Sequence, residues 1–112
     1  MNLKLIIALV TDERSEDILH AAREAGATGS TLINNARGSG KHRKKTFLGL
    51  ELLHQCDVLL FLVDGNKAPD ILQTINKAGS FDEESGTGMA FQLDVEDAVG
   101  VASQLATLNG NN

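Results

Sequence analysis

One pattern occurs twice in this chain, and it limits the possible folds more than any other feature. A continuous apolar run, Leu5 to Val10, leads into a polar turn and a stretch that ends at Gly26; a second run, Val58 to Val63, leads into another turn and a stretch that ends at Gly79. The copies stay in register 53 positions apart: Val10 with Val63, Asp17 with Asp70, Ile18 with Ile71, Leu19 with Leu72, Ala25 with Ala78 and Gly26 with Gly79. Two similar halves are therefore expected. Short apolar runs bounded by turn residues read as strands buried on both faces.

A helix follows each run. Ile18, Ala21, Ala22 and Ala25 form one apolar stripe at helical spacing, with Ser15 as the expected N-cap and Glu16 and Asp17 in the first turn. In the second copy Ile71, Ile75 and Ala78 repeat the stripe, Pro69 suits the helix start, and Gly26 and Gly79 read as helix stops. Further strands are expected at Thr28–Ala36 and Met89–Val95. The order is β-α-β then β-α-β, the split arrangement of α+β ferredoxin-like folds, with an antiparallel sheet and two helices on one face. Between the halves, Arg37–Cys56 reads as a projecting loop that returns through a short strand. Ser80–Gly88 is an insertion in the second half, and Gly110–Asn112 a frayed tail.

The 112 residues suffice for one domain. A net charge of −5 argues against nucleic acid as a partner. A lone cysteine, Cys56, allows no internal disulfide and fits a reducing compartment. Both apolar runs are too short to span a bilayer, so a cytoplasmic location is expected. The glycine pattern Gly38-Ser39-Gly40, flanked by Arg37 and Lys41, can cup an anion with its backbone N–H groups, and Gly86-Thr87-Gly88 is a second such turn. Neither has the spacing of a dinucleotide fingerprint or a P-loop.

Catalytic constellations are not evident, and no enzyme is expected. The acids Asp12, Glu13, Glu16 and Asp17 surround a helix start, where the helix dipole accounts for them. An acylphosphatase-like site needs an arginine in a glycine-rich strand-to-helix loop; Arg14 lacks those glycines. An RNA-binding domain of the same element order needs stacking aromatics that this chain lacks. His54 and Cys56, two positions apart, share a strand face and are compatible with a soft metal, though a rim histidine and a packed thiol explain them as well.

Together these motifs resemble the PII signal-transduction family in a divergent, PII-like branch, over about residues 3–102. Lys4-Leu-Ile-Ile-Ala-Leu-Val10 is similar to that family's first strand. Gly26-Ala-Thr-Gly-Ser-Thr31 and Arg37-Gly-Ser-Gly40 resemble its second strand and the base of its T-loop. Gly86-Thr-Gly-Met-Ala-Phe-Gln-Leu-Asp-Val-Glu-Asp-Ala-Val99 resembles its B-loop and fourth strand. The resemblance implies one ferredoxin-like domain over 1–106, with a T-loop at about 37–50, a B-loop at about 80–88 and a flexible tail at 107–112.

It further implies a homotrimeric regulator with an adenine nucleotide or related small anion as effector in each cleft between subunits. Its T-loop would engage a membrane transporter or metabolic enzyme, and no cofactor is required. Leu9, Thr31 and Leu62 would line the base pocket. Gly38, Ser39, Gly40 and Lys41, with Arg37 beside them, would meet the ligand from one side, and Gly86, Thr87 and Gly88 from the other. Where the family places a lysine and two arginines for phosphate, this chain has Met89, Gly100 and Ala102. Each charge-assisted contact is worth about 1.5–3 kcal/mol, so AMP or ADP is expected over ATP. The absence of tyrosine excludes control by tyrosine modification. Pairing of Lys41–Lys45 with Asp82–Glu84 of a neighbour, in competition with an anion, is a further expectation. The alternative is a trimeric metal-binding protein of the divalent-cation tolerance type, resting on His54 and Cys56.

Overall fold

The computed structural model describes residues 2–34, 45–47, 50–52, 56–84 and 86–101. Strand β1 (Leu3–Thr11) runs through a single 3-10 turn (Asp12–Arg14) into helix α1 (Ser15–Glu24) and strand β2 (Ser30–Ile33). Two short strands follow, β3 (Lys45–Phe47) and β4 (Leu50–Leu52), then β5 (Cys56–Asp64), α2 (Ala68–Gly79) and β6 (Gly88–Asp94). The main sheet has the order β2-β5-β1-β6, with every pair antiparallel. This is the ferredoxin-like α+β arrangement expected from the repeat. The repeat survives in the coordinates: β1 and β5 both have nine residues, and each helix begins four positions after its strand's last residue.

Both helices cover one face of the sheet. Ile6, Ala8 and Val10 of β1 and Leu59, Phe61 and Val63 of β5 pack with Ile18, Leu19 and Ala22 of α1 and Ala68, Ile71 and Ile75 of α2. Burying each large aliphatic side chain contributes about 1.5–3 kcal/mol, so this layer dominates the stability of the domain. The apolar runs are buried on both faces only in part: Ala8, Leu9, Val10 and Thr11 of β1 are all buried, whereas Lys4, Leu5 and Ile7 are half-buried. The burial of β5 alternates: Asp57, Leu59, Phe61 and Val63 are buried, and the residues between them are half-buried. On the face away from the core, Leu5, Ile7 and Leu9 stand opposite Leu62, Leu60 and Val58 on one side and Leu93, Phe91 and Met89 on the other. Alternation gives this second face an apolar character as complete as the first.

Four local expectations are corrected. Ser15 is the first residue of α1 and not its N-cap; Arg14 holds that place and makes no side-chain cap hydrogen bond. The preceding 3-10 turn takes over the helix start, which frees the Ser15 hydroxyl for a longer-range partner. Gly26 does stop α1, with φ 118° and the paired reverse bonds Gly26 N–H to Arg23 O and Ala27 N–H to Ala22 O. Gly79 does not stop α2 in that way: it remains helical, and Ser80 takes the left-handed conformation at φ 53°. The returning segment holds two short paired strands, β3 and β4, where one was expected. Strand β2 is also shorter than the expected Thr28–Ala36, of which residues 35 and 36 lie outside the described residues.

Candidate functional site

The loops of interest converge on one end of the sheet. Thr11 lies opposite Cys56, Val10 opposite Gly88, and Ile33 opposite Val58. The chain between positions 34 and 56 therefore leaves and returns at the edge where β1 ends, and the loop between α2 and β6 arrives beside it.

That loop is a folded structure. Phe81 N–H bonds Asn76 O (3.2 Å) and Glu84 N–H bonds Ser80 O (2.9 Å). The Thr87 hydroxyl donates to Glu84 O (3.0 Å), with Ser80 O (3.3 Å) the alternative acceptor of its one proton. Thr87 O in turn accepts from Thr11 N–H (3.2 Å), which fixes the loop to the end of β1. Gly86 has φ 80° and Gly88 φ 152°, conformations that favour glycine. A side chain at Gly88 would place its Cβ 2.4 Å from Leu9 O, and one at Gly79 would place it 2.2 Å from the Phe81 ring. Phe81 thus occupies a seat made by two glycines, one closing the helix and one opening the strand.

A cross-connection from the first half completes the loop. Arg14 Nη1 donates to Gly79 O at 2.9 Å, and Arg14 Nη2 pairs with Glu84 Oε2. Asn76 Nδ2 donates to Asp82 Oδ2 at 2.8 Å. Two acids of the Asp82–Glu84 run therefore have partners within their own chain. Beneath the loop, Ser15 Oγ donates to the buried Asp57 Oδ2 at 2.6 Å. Thr11 is 1% exposed and its hydroxyl oxygen has no hydrogen-bond partner. By strand alternation that side chain belongs to the face of Leu9, away from the helices.

The sequence-derived candidates divide into three groups. Gly88 packs against Leu9 and Thr87 bonds Thr11 at the loop end, with Gly86 in the same turn, although the Thr87 hydroxyl is engaged inside its own loop. Thr31 lies on the same sheet face as Leu9, opposite Leu60. Leu62 shares that face but stands opposite Leu5, two rows from Leu9, so one chain alone does not bring them together. Arg37, Gly38, Ser39, Gly40 and Lys41 lie outside the described residues, as does His54 of the metal alternative. Cys56 Sγ donates to Asp57 O at 3.4 Å. Among the described residues no group of three His, Cys, Asp or Glu side chains is placed to hold a metal. Nor is any helix among them long and apolar enough to cross a membrane.

Asp57 and Phe81 are not singled out from the sequence, and Arg14 is weighed there only as an acylphosphatase-type anchor and set aside. The repeat carried a signal for Asp57, a charged residue opening an otherwise apolar strand. A separate cavity of about 250 Å³ lies between α2 and β6, lined by Leu72, Gln73, Asn76, Phe81 and Met89 among others. Gly88 of the ligand-binding candidates lines it, and Leu9, Thr31 and Leu62 do not.

Comparison with known proteins gives this geometry a context. The nitrogen regulatory protein GlnK2 of Haloferax mediterranei is 32% identical over 103 residues, which cover 88% of this chain and 83% of that protein. A PII-like signalling protein from Thermus thermophilus superposes with TM-score 0.59 at 23% identity, covering 85% of this chain and 87% of that one. CPII from Thiomonas intermedia, solved with ADP, AMP and acetate, superposes with TM-score 0.56 at 18% identity, covering 86% and 90%. The family model of nitrogen regulatory protein P-II matches residues 3–104, nearly the whole chain. With the split β-α-β fold and the loop built between α2 and β6, the chain belongs to the nitrogen regulatory protein P-II family.

Proposed function

We propose that this chain is a non-catalytic regulator that assembles as a trimer and binds an adenine nucleotide between neighbouring protomers. The observation that carries this reading is the second face of the sheet. Leu5, Ile7, Leu60, Phe91 and their neighbours form an apolar layer with no helix of the described chain upon it. A contiguous apolar surface of this kind marks an association site. The loop with Gly86 and Gly88 borders it at one end, so a neighbour that covers the face also walls the loop. The unpartnered Thr11 hydroxyl on the same side offers a polar contact.

The ligand class is AMP or ADP, since Met89, Gly100 and Ala102 carry no positive charge for a third phosphate. CPII, a protein of the same fold, was solved with ADP and AMP. On this reading Leu9, Thr31 and Leu62 come from adjoining copies. The segment at about 37–50 responds because the ligand has higher affinity for one of its conformations. Its partner is a transporter or metabolic enzyme in the cytoplasm.

Light scattering tests the assembly, and a thermal-shift series with AMP, ADP and ATP tests the ligand. The native chain is expected at three times the monomer mass, and Ile7→Glu at a lower mass. AMP or ADP should raise the melting temperature more than ATP. A monomeric native chain that no adenine nucleotide stabilises would overturn the reading.

A further inference from the structure

We propose that Arg14 is an anion-binding cation of the glycine loop, and that Glu84 occupies it in the empty state as an internal competitor. This deepens the reading above and rests on it for the placement of the anion at the loop. Arg14 lies in the 3-10 turn between β1 and α1, outside the loop it serves. One guanidinium nitrogen is held by Gly79 O, which orients the planar group, and another meets the Glu84 carboxylate. A guanidinium carries five N–H donors in a fork that suits carboxylate and phosphate alike. The contact with Glu84 thus shows which chemistry the site accepts, a planar or tetrahedral oxyanion.

The exposure of the two partners makes the contact exchangeable. The side chain of Arg14 is 26% exposed and that of Glu84 54% exposed. The cation is fixed from below while the carboxylate can swing into water. Exposed ion pairs of this kind are weak, so an anion that adds backbone N–H contacts at Gly86–Gly88 displaces Glu84 readily. Glu84 also touches the loop through its main chain, whose carbonyl accepts the Thr87 hydroxyl. Exchange at Arg14 is therefore mechanically linked to Thr87 and, through Thr87 O, to Thr11 at the end of β1. A plain structural staple predicts the opposite response to a lost Glu84 charge: a looser loop and weaker binding.

The test uses the full chain and two probes, ADP and inorganic pyrophosphate, titrated calorimetrically at low ionic strength. Glu84→Gln is expected to bind pyrophosphate at least about tenfold more tightly than the native chain. Adding Arg14→Gln should abolish that gain. Adding Arg14→Lys instead retains the charge and should keep part of it, which guards against a folding defect in the glutamine variant. A Glu84→Gln chain that binds pyrophosphate no more tightly than the native one overturns the competitor role, even if ADP binds both. Tighter pyrophosphate binding with no ADP binding by any variant upholds the role of Arg14 and overturns the adenine-nucleotide reading instead.

Discussion

The two halves of this molecule begin alike and end differently. Each opens with a nine-residue strand at the centre of the sheet, and each helix starts after an interval of three residues. In the first half, α1 closes on Gly26 and the chain passes directly to the short strand β2. In the second half α2 is two residues longer, Ser80 turns the chain, and a folded loop seats Phe81 before β6 begins. The halves also use matched positions differently. Ser15, first in α1, bonds Asp57; its counterpart Ala68, first in α2, is buried without any polar group. Lys4, the counterpart of Asp57, pairs with Asp94 at 2.6 Å. The duplicated strand and helix supply the scaffold, and new chemistry enters where the copies diverge. The first half then stabilises what the second half gained, through Arg14 and Thr11.

Substitutions at matched positions can break this comparison. Ile18 and Ile71 are both fully buried, and Ile18→Ala and Ile71→Ala should each cost about 3 kcal/mol in urea unfolding. A large inequality would mean that the halves do not share the core equally. Gly88→Ala should cost about 2 kcal/mol, from the clash with Leu9 O and the positive φ. Gly29→Ala, in the first half, meets nothing within 4 Å and should change stability by less than about 1 kcal/mol. Ser15→Ala should cost about 1.5 kcal/mol by removing a donor from buried Asp57. Its mirror change, Ala68→Ser, should be destabilising for the opposite reason, a hydroxyl buried without a partner. The smallest effect belongs to Glu84→Gln, under about 1 kcal/mol on stability because its ion pair is exposed. That variant separates the loop's contribution to binding from its contribution to folding.

The scaffold was legible because its signals are local and duplicated. Apolar runs located β1 and β5, and glycine located the end of α1 with its φ of 118°. The end of α2 falls at Gly79 as expected, but by another means, because a glycine can serve close packing as well as a left-handed turn. Gly79 makes room for Phe81, and Ser80 bears the backbone conformation instead. Ser15 looked like a cap because its residue type suits one; the 3-10 turn and the buried Asp57, 42 positions away, gave its hydroxyl another use. Of the site, the glycine turn was visible as a motif. The pairing of Arg14 with Glu84 was not, since the two lie 70 positions apart and nothing in the spacing links them. Contacts of that range become readable only when the sheet order brings the two loops to one end.

The apolar second face has a consequence for how this protein must live. In a folded copy kept by itself, rows of leucine, isoleucine and phenylalanine on this face are only half-buried. On the proposed trimer, resistance to heat and proteolysis follows abundance: dilution uncovers the face, and a high concentration covers it. On that reading the amount of chain present, and not only a bound ligand, sets how much of this face is covered.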